Sequence, residues 1–254
     1  MGKGQVTEII VNEFGSILQV TDPIGRVTKI ERDIGNLAIR IERPSADGGT
    51  RTDLIDYDPL ANVTRLLEAS DTALERVTRY EYDPAYSKVT RKTDPGGFVT
   101  LYEYDSTGLV TKITDPEFGE RTFTYRADGL LESRTDENGN LTSFSYKPDS
   151  KNLDLVTYAD GSVSRYTYDS RGNATVIAEA FGLPEERRVL RTYDRRNRVL
   201  TQETTGPDGL QIDGLTTYTY DTAGNLKTVT DETGLVTTMT YDSLERLVAL
   251  DDPA

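Results

Sequence analysis

The chain has no cysteine, no histidine and no tryptophan among its 254 residues. Without cysteine there is no disulfide, no thiol nucleophile and no thiolate site for zinc. Without histidine the usual general base, transition-metal ligand and pH switch are missing. Ser-His-Asp, Cys-His and zincin arrangements therefore cannot be assembled from this chain alone. Positive charge is also scarce: 29 Lys and Arg face 43 Asp and Glu, a net −14. That balance excludes a general affinity for nucleic acid or anionic lipid, both of which need a basic footprint. Nor does any stretch approach the ~18 consecutive apolar residues of a membrane-spanning helix. The start, Met1-Gly2-Lys3-Gly4, has no apolar signal core. A signal for export is expected outside this chain.

What the chain does have is 15 tyrosines, and most of them recur with a period. The pair Tyr-Asp stands at Tyr57-Asp58, Tyr82-Asp83, Tyr104-Asp105, Tyr168-Asp169, Tyr193-Asp194, Tyr220-Asp221 and Tyr241-Asp242. Tyr125 and Tyr146 keep the ring and replace the acid with Arg126 and Lys147. Successive anchors lie 21 to 27 residues apart. Two degenerate copies align on Val11-Asn12 and Glu31-Arg32, with Gly15 and Gly35 four residues after each anchor. The expected organisation is a single array of about eleven repeats over 1–254, degenerate over 1–56 and recognisable over 57–254.

Each unit reads as a hairpin. An alternating strand such as Val99–Tyr104 is followed by the turn Asp105-Ser106-Thr107-Gly108, a second alternating strand, and the turn Asp115-Pro116-Glu117-Phe118-Gly119. Period-two alternation of Val, Ile, Thr, Tyr and Phe is the strand signature. Asp opens turns, Pro presets φ and Gly accepts positive φ. The first turn recurs at Asp169 to Gly172 and Asp221 to Gly224, the second at Asp231 to Gly234. The predicted fold is all-β: tandem hairpins in one long, twisted antiparallel sheet that curls into an open spiral or partial shell. Only residues 61–77 tolerate a helix, and the repeat register assigns them to a hairpin as well.

The anchor tyrosine has an aromatic partner two residues upstream: Tyr80/Tyr82, Tyr102/Tyr104, Phe123/Tyr125, Phe144/Tyr146, Tyr166/Tyr168 and Tyr218/Tyr220. Residues i and i+2 share a strand face, so the rings are expected to form a structural ladder. Phe123 and Phe144 imply that the ring counts for more than the hydroxyl. The alternative use of such a face is a stacking platform for carbohydrate or nucleic acid. Turn aspartates recur once per unit, whereas a catalytic carboxylate pair should be singular. No catalytic residue, metal ligand or cofactor is assigned, and no EF-hand spacing is present for calcium. Arg187, Arg188, Arg195, Arg196 and Arg198 read as one basic cluster beside an insertion at 181–186, a candidate partner loop.

These units resemble the YD (Rhs) repeat family. The best copies are YTYDTAGNLKTVTDETG at 218–234 and YEYDSTGLVTKITDPEFG at 102–119. The resemblance implies a non-catalytic, secreted or cell-surface bacterial scaffold, with repeats that spiral into a hollow shell around a toxin or effector polypeptide. The partners it implies are the rest of a parent polypeptide and such a cargo, with a glycan or cell-surface protein as the alternative. The family's core segment and autoproteolytic aspartate have no counterpart here. The last residues, Asp251-Asp252-Pro253-Ala254, fall inside what would be a further second-type turn, so a fragment of a larger protein is expected.

Overall fold

The structure, a computed structural model, describes residues 7–46, 48–69, 75–206 and 212–252. These residues form 22 strands and no helix. The chain divides into two compact units, Met1–Thr122 and Phe123–Ala254. The first holds β1 (Glu8–Val11), β2 (Ile17–Thr21), β3 (Val27–Arg32), β4 (Ala38–Pro44), β5 (Thr50–Tyr57), β6 (Val63–Glu68), β7 (Arg76–Tyr82), β8 (Val89–Thr93), β9 (Val99–Tyr104) and β10 (Val110–Thr114). Strand β11 (Glu120–Tyr125) runs across the boundary. The second holds β12 (Leu131–Thr135), β13 (Leu141–Tyr146), β14 (Leu153–Thr157), β15 (Val163–Tyr168), β16 (Ala174–Glu179), β17 (Arg187–Tyr193), β18 (Val199–Thr205), β19 (Ile212–Tyr220), β20 (Leu226–Thr230), β21 (Val236–Tyr241) and β22 (Leu247–Asp251). The segment that tolerated a helix contributes β6 and the start of β7; residues 70–74 lie outside the described residues.

Within each unit every strand pairs antiparallel with its successor. The strands belong to one 22-stranded sheet. The sheet is not closed: among the described residues β1 pairs with β2 alone and β22 with β21 alone. The short turns explain this topology. Chain-adjacent strands become neighbours because two-strand hairpins need only a few connecting residues, whereas parallel pairing needs a long crossover.

A single layer has little interior. Among the described residues only Leu67, Ala69, Val156 and Ala178 are buried apolar side chains. Most strand residues are half-buried, so cross-strand pairs and the backbone ladder carry the stability that a second layer would otherwise supply. Alternation is visible on β9, where Tyr102 and Tyr104 are half-buried and Leu101 and Glu103 are exposed. The face opposite the tyrosines is polar. Thr192 bonds Thr201 and Thr219 bonds Thr228, each at 2.6 Å, and Lys112 lies 2.5 Å from Glu120.

One charged group breaks the pattern. Asp53 on β5 is only 4% exposed. Its carboxylate pairs with Arg43 and Arg51 and accepts the Ala69 amide at 3.1 Å. Arg51 also reaches Glu68 at 2.9 Å. Hydrogen bonds and two guanidinium groups compensate a carboxylate that burial alone would disfavour.

Candidate functional site

The anchor tyrosines and first-turn residues singled out by the sequence lie at the first-turn edge of the hairpins. In the turn after β9, the Asp105 amide donates to the Leu109 carbonyl and the Gly108 amide to the Asp105 carbonyl. The Asp105 carboxylate accepts the amides of Thr107 (2.8 Å) and Leu109 (3.0 Å). Gly108 takes φ 83°, a left-handed conformation that costs glycine nothing. Asp169, with Gly172 at φ 84°, repeats this arrangement. Asp221 accepts the amides of Gly224 and Asn225. Where the acid is replaced by Arg126 the backbone turn persists, closed by Leu130 and Gly129.

Second-type turns use the same chemistry. Asp231 accepts the amides of Thr233 and Leu235, and Gly234 is left-handed at φ 86°. The turn at Asp115 differs from the sequence reading. Phe118, not Gly119, takes the left-handed position at φ 65°, and Gly119 closes the turn by donating to the Asp115 carboxylate at 2.8 Å. The turn has the same length and backbone bonds as the others, so the glycine stands one place after the left-handed position.

Some of the turn carboxylates are tuned by such bonds. Asp169 is held down at about 2 by the Asn173 side-chain amide, helped by the Asn173 and Arg171 backbone amides and the Arg171 charge. Asp58 and Asp136 are lowered in the same way by Asn62 and Asn140. At Asp242 the Arg246 side chain takes the asparagine's place. Hydrogen bonds to the charged form are the cause throughout.

Opposite eight of the anchors the second strand carries a β-bulge. Tyr104 faces Val110 while Glu103 faces Lys112, leaving Thr111 unpaired. The register shifts in the same way at Tyr57, Tyr82, Tyr146, Tyr168, Tyr193, Tyr220 and Tyr241. Bulges re-aim side chains, and here the anchor is turned toward the preceding hairpin. The Tyr104 hydroxyl donates to the Val89 carbonyl at 2.7 Å. Tyr57 reaches Ala38, Tyr82 Val63, Tyr146 Leu131, Tyr193 Ala174 and Tyr220 Val199, all between 2.7 and 2.9 Å. Each acceptor is the first residue of the preceding hairpin's second strand. The anchor is therefore an inter-repeat staple. Burial raises the phenol pKa of Tyr57, Tyr82, Tyr104, Tyr146, Tyr166, Tyr168 and Tyr220.

This corrects the preference for ring over hydroxyl. Phe123 and Phe144 occupy the upstream position, whose side chains lie with Tyr80, Tyr102, Tyr166 and Tyr218 in the half-buried rows. The anchors beside them, Tyr125 and Tyr146, keep the phenol. A second correction concerns the degenerate copy placed on Glu31-Arg32. Its bulge falls at Arg32, its turn opens at Asp33, and Asn36 rather than Gly35 is left-handed at φ 67°. Arg32 thus stands where tyrosine stands elsewhere. Its Nε donates to the Ile17 carbonyl at 3.2 Å, the equivalent acceptor. A guanidinium can replace the phenol because the requirement is a long side chain ending in a donor.

The basic cluster does not hold together. Arg187 and Arg188 open β17, whereas Arg195, Arg196 and Arg198 lie in the turn after its end. The seven residues of β17 separate the two groups by roughly 20 Å. Arg188 pairs with Glu186 at 2.5 Å, within the irregular segment 180–186. Arg198 chelates Asp194, donates to the Gly224 carbonyl at 3.1 Å and lies 4.1 Å from the Tyr220 ring centre. It belongs to the staple. Among the described residues no group of three or more acidic side chains gathers to hold a metal ion. The described residues hold no helix long and apolar enough to cross a membrane, a statement that leaves β-barrels aside.

Bulged hairpins joined by anchor hydroxyls define a class: a β-hairpin repeat array with one stapled edge. The RHS Repeat family model matches residues 88–117, 193–234 and 220–254. Over those stretches the chain is similar to YD (Rhs) repeat proteins. Three solved structures share the fold. The crystal structure of TcdB2-TccC3-Cdc42 has a TM-score of 0.62 at 17% identity, covering 95% of this chain and 16% of that one. TcdB2-TccC3-TEV has 0.61 at 18%, with the same coverages of 95% and 16%. The Photorhabdus luminescens Tc holotoxin pore has 0.61 at 17%, again covering 95% and 16%. The chain thus spans about a sixth of the length of these structures. No curated protein matches it by sequence.

Proposed function

We propose that the chain is a non-catalytic scaffold, a stretch of an Rhs-type wall that encloses or displays another polypeptide outside the cell. The carrying observation is that the recurring polar side chains serve the fold. Anchor hydroxyls bond the preceding hairpin, and turn carboxylates bond their own turns. A family likeness to a Tc holotoxin pore supports the context of a larger, extracellular polypeptide. The test is limited proteolysis of the polypeptide that carries this array, together with its adjoining segments. An enclosed segment resists protease doses that digest the same segment made alone, and becomes cleavable when the array is unfolded in urea. Equal cleavage rates in both settings would overturn the reading.

The alternative, a module that binds glycans or a cell-surface protein, has less support because six anchor hydroxyls already bond backbone carbonyls. Saturable binding on a glycan array, lost on substitution of exposed rings such as Tyr86 or Phe118, would favour it instead.

A further inference from the structure

Two second-type turns of the first unit, at 94–98 and 115–119, flank a cleft of about 300 Å³. Phe98, Val99, Leu101, Thr114, Pro116 and Phe118 are among the residues that line it. Its largest apolar side chains stand open: Phe98 is 59% exposed, Phe118 86% and Leu101 41%. The Phe98 ring lies over Gly96, where a methyl group would come within 2.8 Å of it. The orientation of that ring is therefore set by its own turn.

Phe118 is the one aromatic side chain with positive φ among the described residues. The matching place in the turns at Asp22, Asp94, Asp136 and Asp231 holds glycine. A bulky residue is strained there, and an exposed ring gains nothing from the sheet. The fold therefore does not account for Phe118, and residues held against local preference mark places of contact. The rim of the cleft is acidic. Residues 94–101 and 114–119 include Asp94, Asp115 and Glu117 and no lysine or arginine. The Asp94 carboxylate already accepts the amides of Gly96 and Phe98, and that of Asp115 those of Glu117 and Gly119. What remains inside is the Thr114 hydroxyl, too little to satisfy the many hydroxyls of a sugar.

We infer that this cleft docks a basic peptide segment of a partner protein. One apolar side chain of the segment enters between the Phe98 and Phe118 rings, and flanking lysines or arginines face Asp94, Asp115 and Glu117. The anchor in its apolar slot supplies most of the affinity, as in protein interfaces generally. The charge pattern selects a basic partner and speeds its approach. The volume suits one large side chain, at the small end of the range for binding pockets. The inference rests on the two turns and not on the enclosure reading.

The test uses the 254-residue chain and the peptide acetyl-Lys-Lys-Trp-Lys-Lys-amide. The chain has no tryptophan, so the indole emission reports the peptide alone. A saturable blue shift is expected as the indole enters the cleft. Phe118→Gly and Phe98→Ala each weaken binding about two- to tenfold, the range of one aromatic pair. Phe118→Gly does so while raising the urea midpoint, a combination that damage to the fold would not give. Glu117→Gln weakens binding about twofold and reduces its salt dependence, the range of an exposed charge pair. Ile24→Ala trims a comparably exposed side chain, 72%, in another second-type turn and leaves binding unchanged. The inference is overturned by no blue shift at millimolar peptide, by undiminished binding to Phe118→Gly, or by an equal loss in Ile24→Ala. Equal binding of acetyl-Glu-Glu-Trp-Glu-Glu-amide also overturns it, as does self-association of the chain that is lost in Phe118→Gly, which makes a second copy the occupant.

Discussion

Removing one oxygen atom tests the staple most directly. Tyr104→Phe deletes the donor to Val89 and leaves the ring in place. A neutral intramolecular hydrogen bond contributes about 0.5–1.5 kcal/mol net. The Val89 carbonyl sits at a half-buried sheet edge where water replaces part of the loss, so about 1 kcal/mol is expected. Tyr104→Ala removes the ring too. Full burial of an aromatic covers about 150–250 Å², so a half-buried ring loses roughly 75–125 Å² of contact. At about 25 cal/mol per Å² that adds roughly 2–3 kcal/mol, for a total near 3–4 kcal/mol. Tyr102→Phe is the control. It should change stability by less than about 0.5 kcal/mol, because the chain itself places Phe123 and Phe144 at that position. Repeat arrays open locally, since each unit touches only its neighbours. Native-state hydrogen exchange at the β8–β9 ladder is therefore the assay, with urea unfolding followed by circular dichroism in support. The reasoning fails if Tyr104→Phe leaves exchange at β8–β9 unchanged, or if Tyr102→Phe costs more than Tyr104→Phe.

Asp58, Asp136 and Asp169 predict acid sensitivity. Their folded pKa values lie below the ordinary 3.8, with Asp169 at about 2, so they stabilise the fold above pH 4 and lose that contribution as pH falls toward 2. A carboxyl titration by NMR that placed Asp169 near 3.8 would refute this. Phe118→Gly should stabilise the chain by about 0.5–1 kcal/mol in urea, because Phe118 is 86% exposed and sits at φ 65°, where glycine is unstrained. A loss of stability would show that the ring has a packing role. Arg32→Leu should accelerate hydrogen exchange along β2–β3 by removing donors to Ile17 and Asn36, and Arg32→Tyr should restore it. Asp53→Asn should destabilise by about 2 kcal/mol, below the usual range for a buried pair because both arginine partners are half-exposed.

The hairpins were legible because their signals are local. Alternation, Asp at turn openings and Gly at left-handed positions act within six residues, and the period repeats them many times. The hydroxyl's partner was not legible, since Tyr104 and Val89 are fifteen residues apart and a bulge decides which way the ring turns. Arg32 escaped for a related reason: no tyrosine marked the register, and Gly35 drew the alignment one residue early. The arginines near 187 and 198 looked like one cluster because sequence distance hides a strand's length. Asp53 gave no signal at all, as its partners come from β4, β5 and the residue that follows β6 in one non-repeating arrangement.

The two edges of the hairpins differ in a way that bears on how such an array diversifies. At the first-turn edge, six anchor hydroxyls tie a hairpin to the preceding one, and side chains link turn to turn. Asn173 donates to Asn197 at 3.0 Å, Arg171 to the Asp194 carbonyl at 2.7 Å, and Tyr86 to the Ser106 carbonyl at 2.8 Å. A length change there would break bonds to a neighbouring repeat as well as its own turn. The first turns accordingly stay short, and the longest, at Asp83 and Lys147, add a single residue. At the second-turn edge the tyrosine staple is absent by construction, because the anchor lies at the opposite end of the strand. The irregular segment 180–186 falls there, between β16 and β17. Loop insertion is thermodynamically mild when only closure entropy opposes it. The stapled edge therefore conserves the repeat, while the second-turn edge is free to vary in length and carry contacts specific to one member.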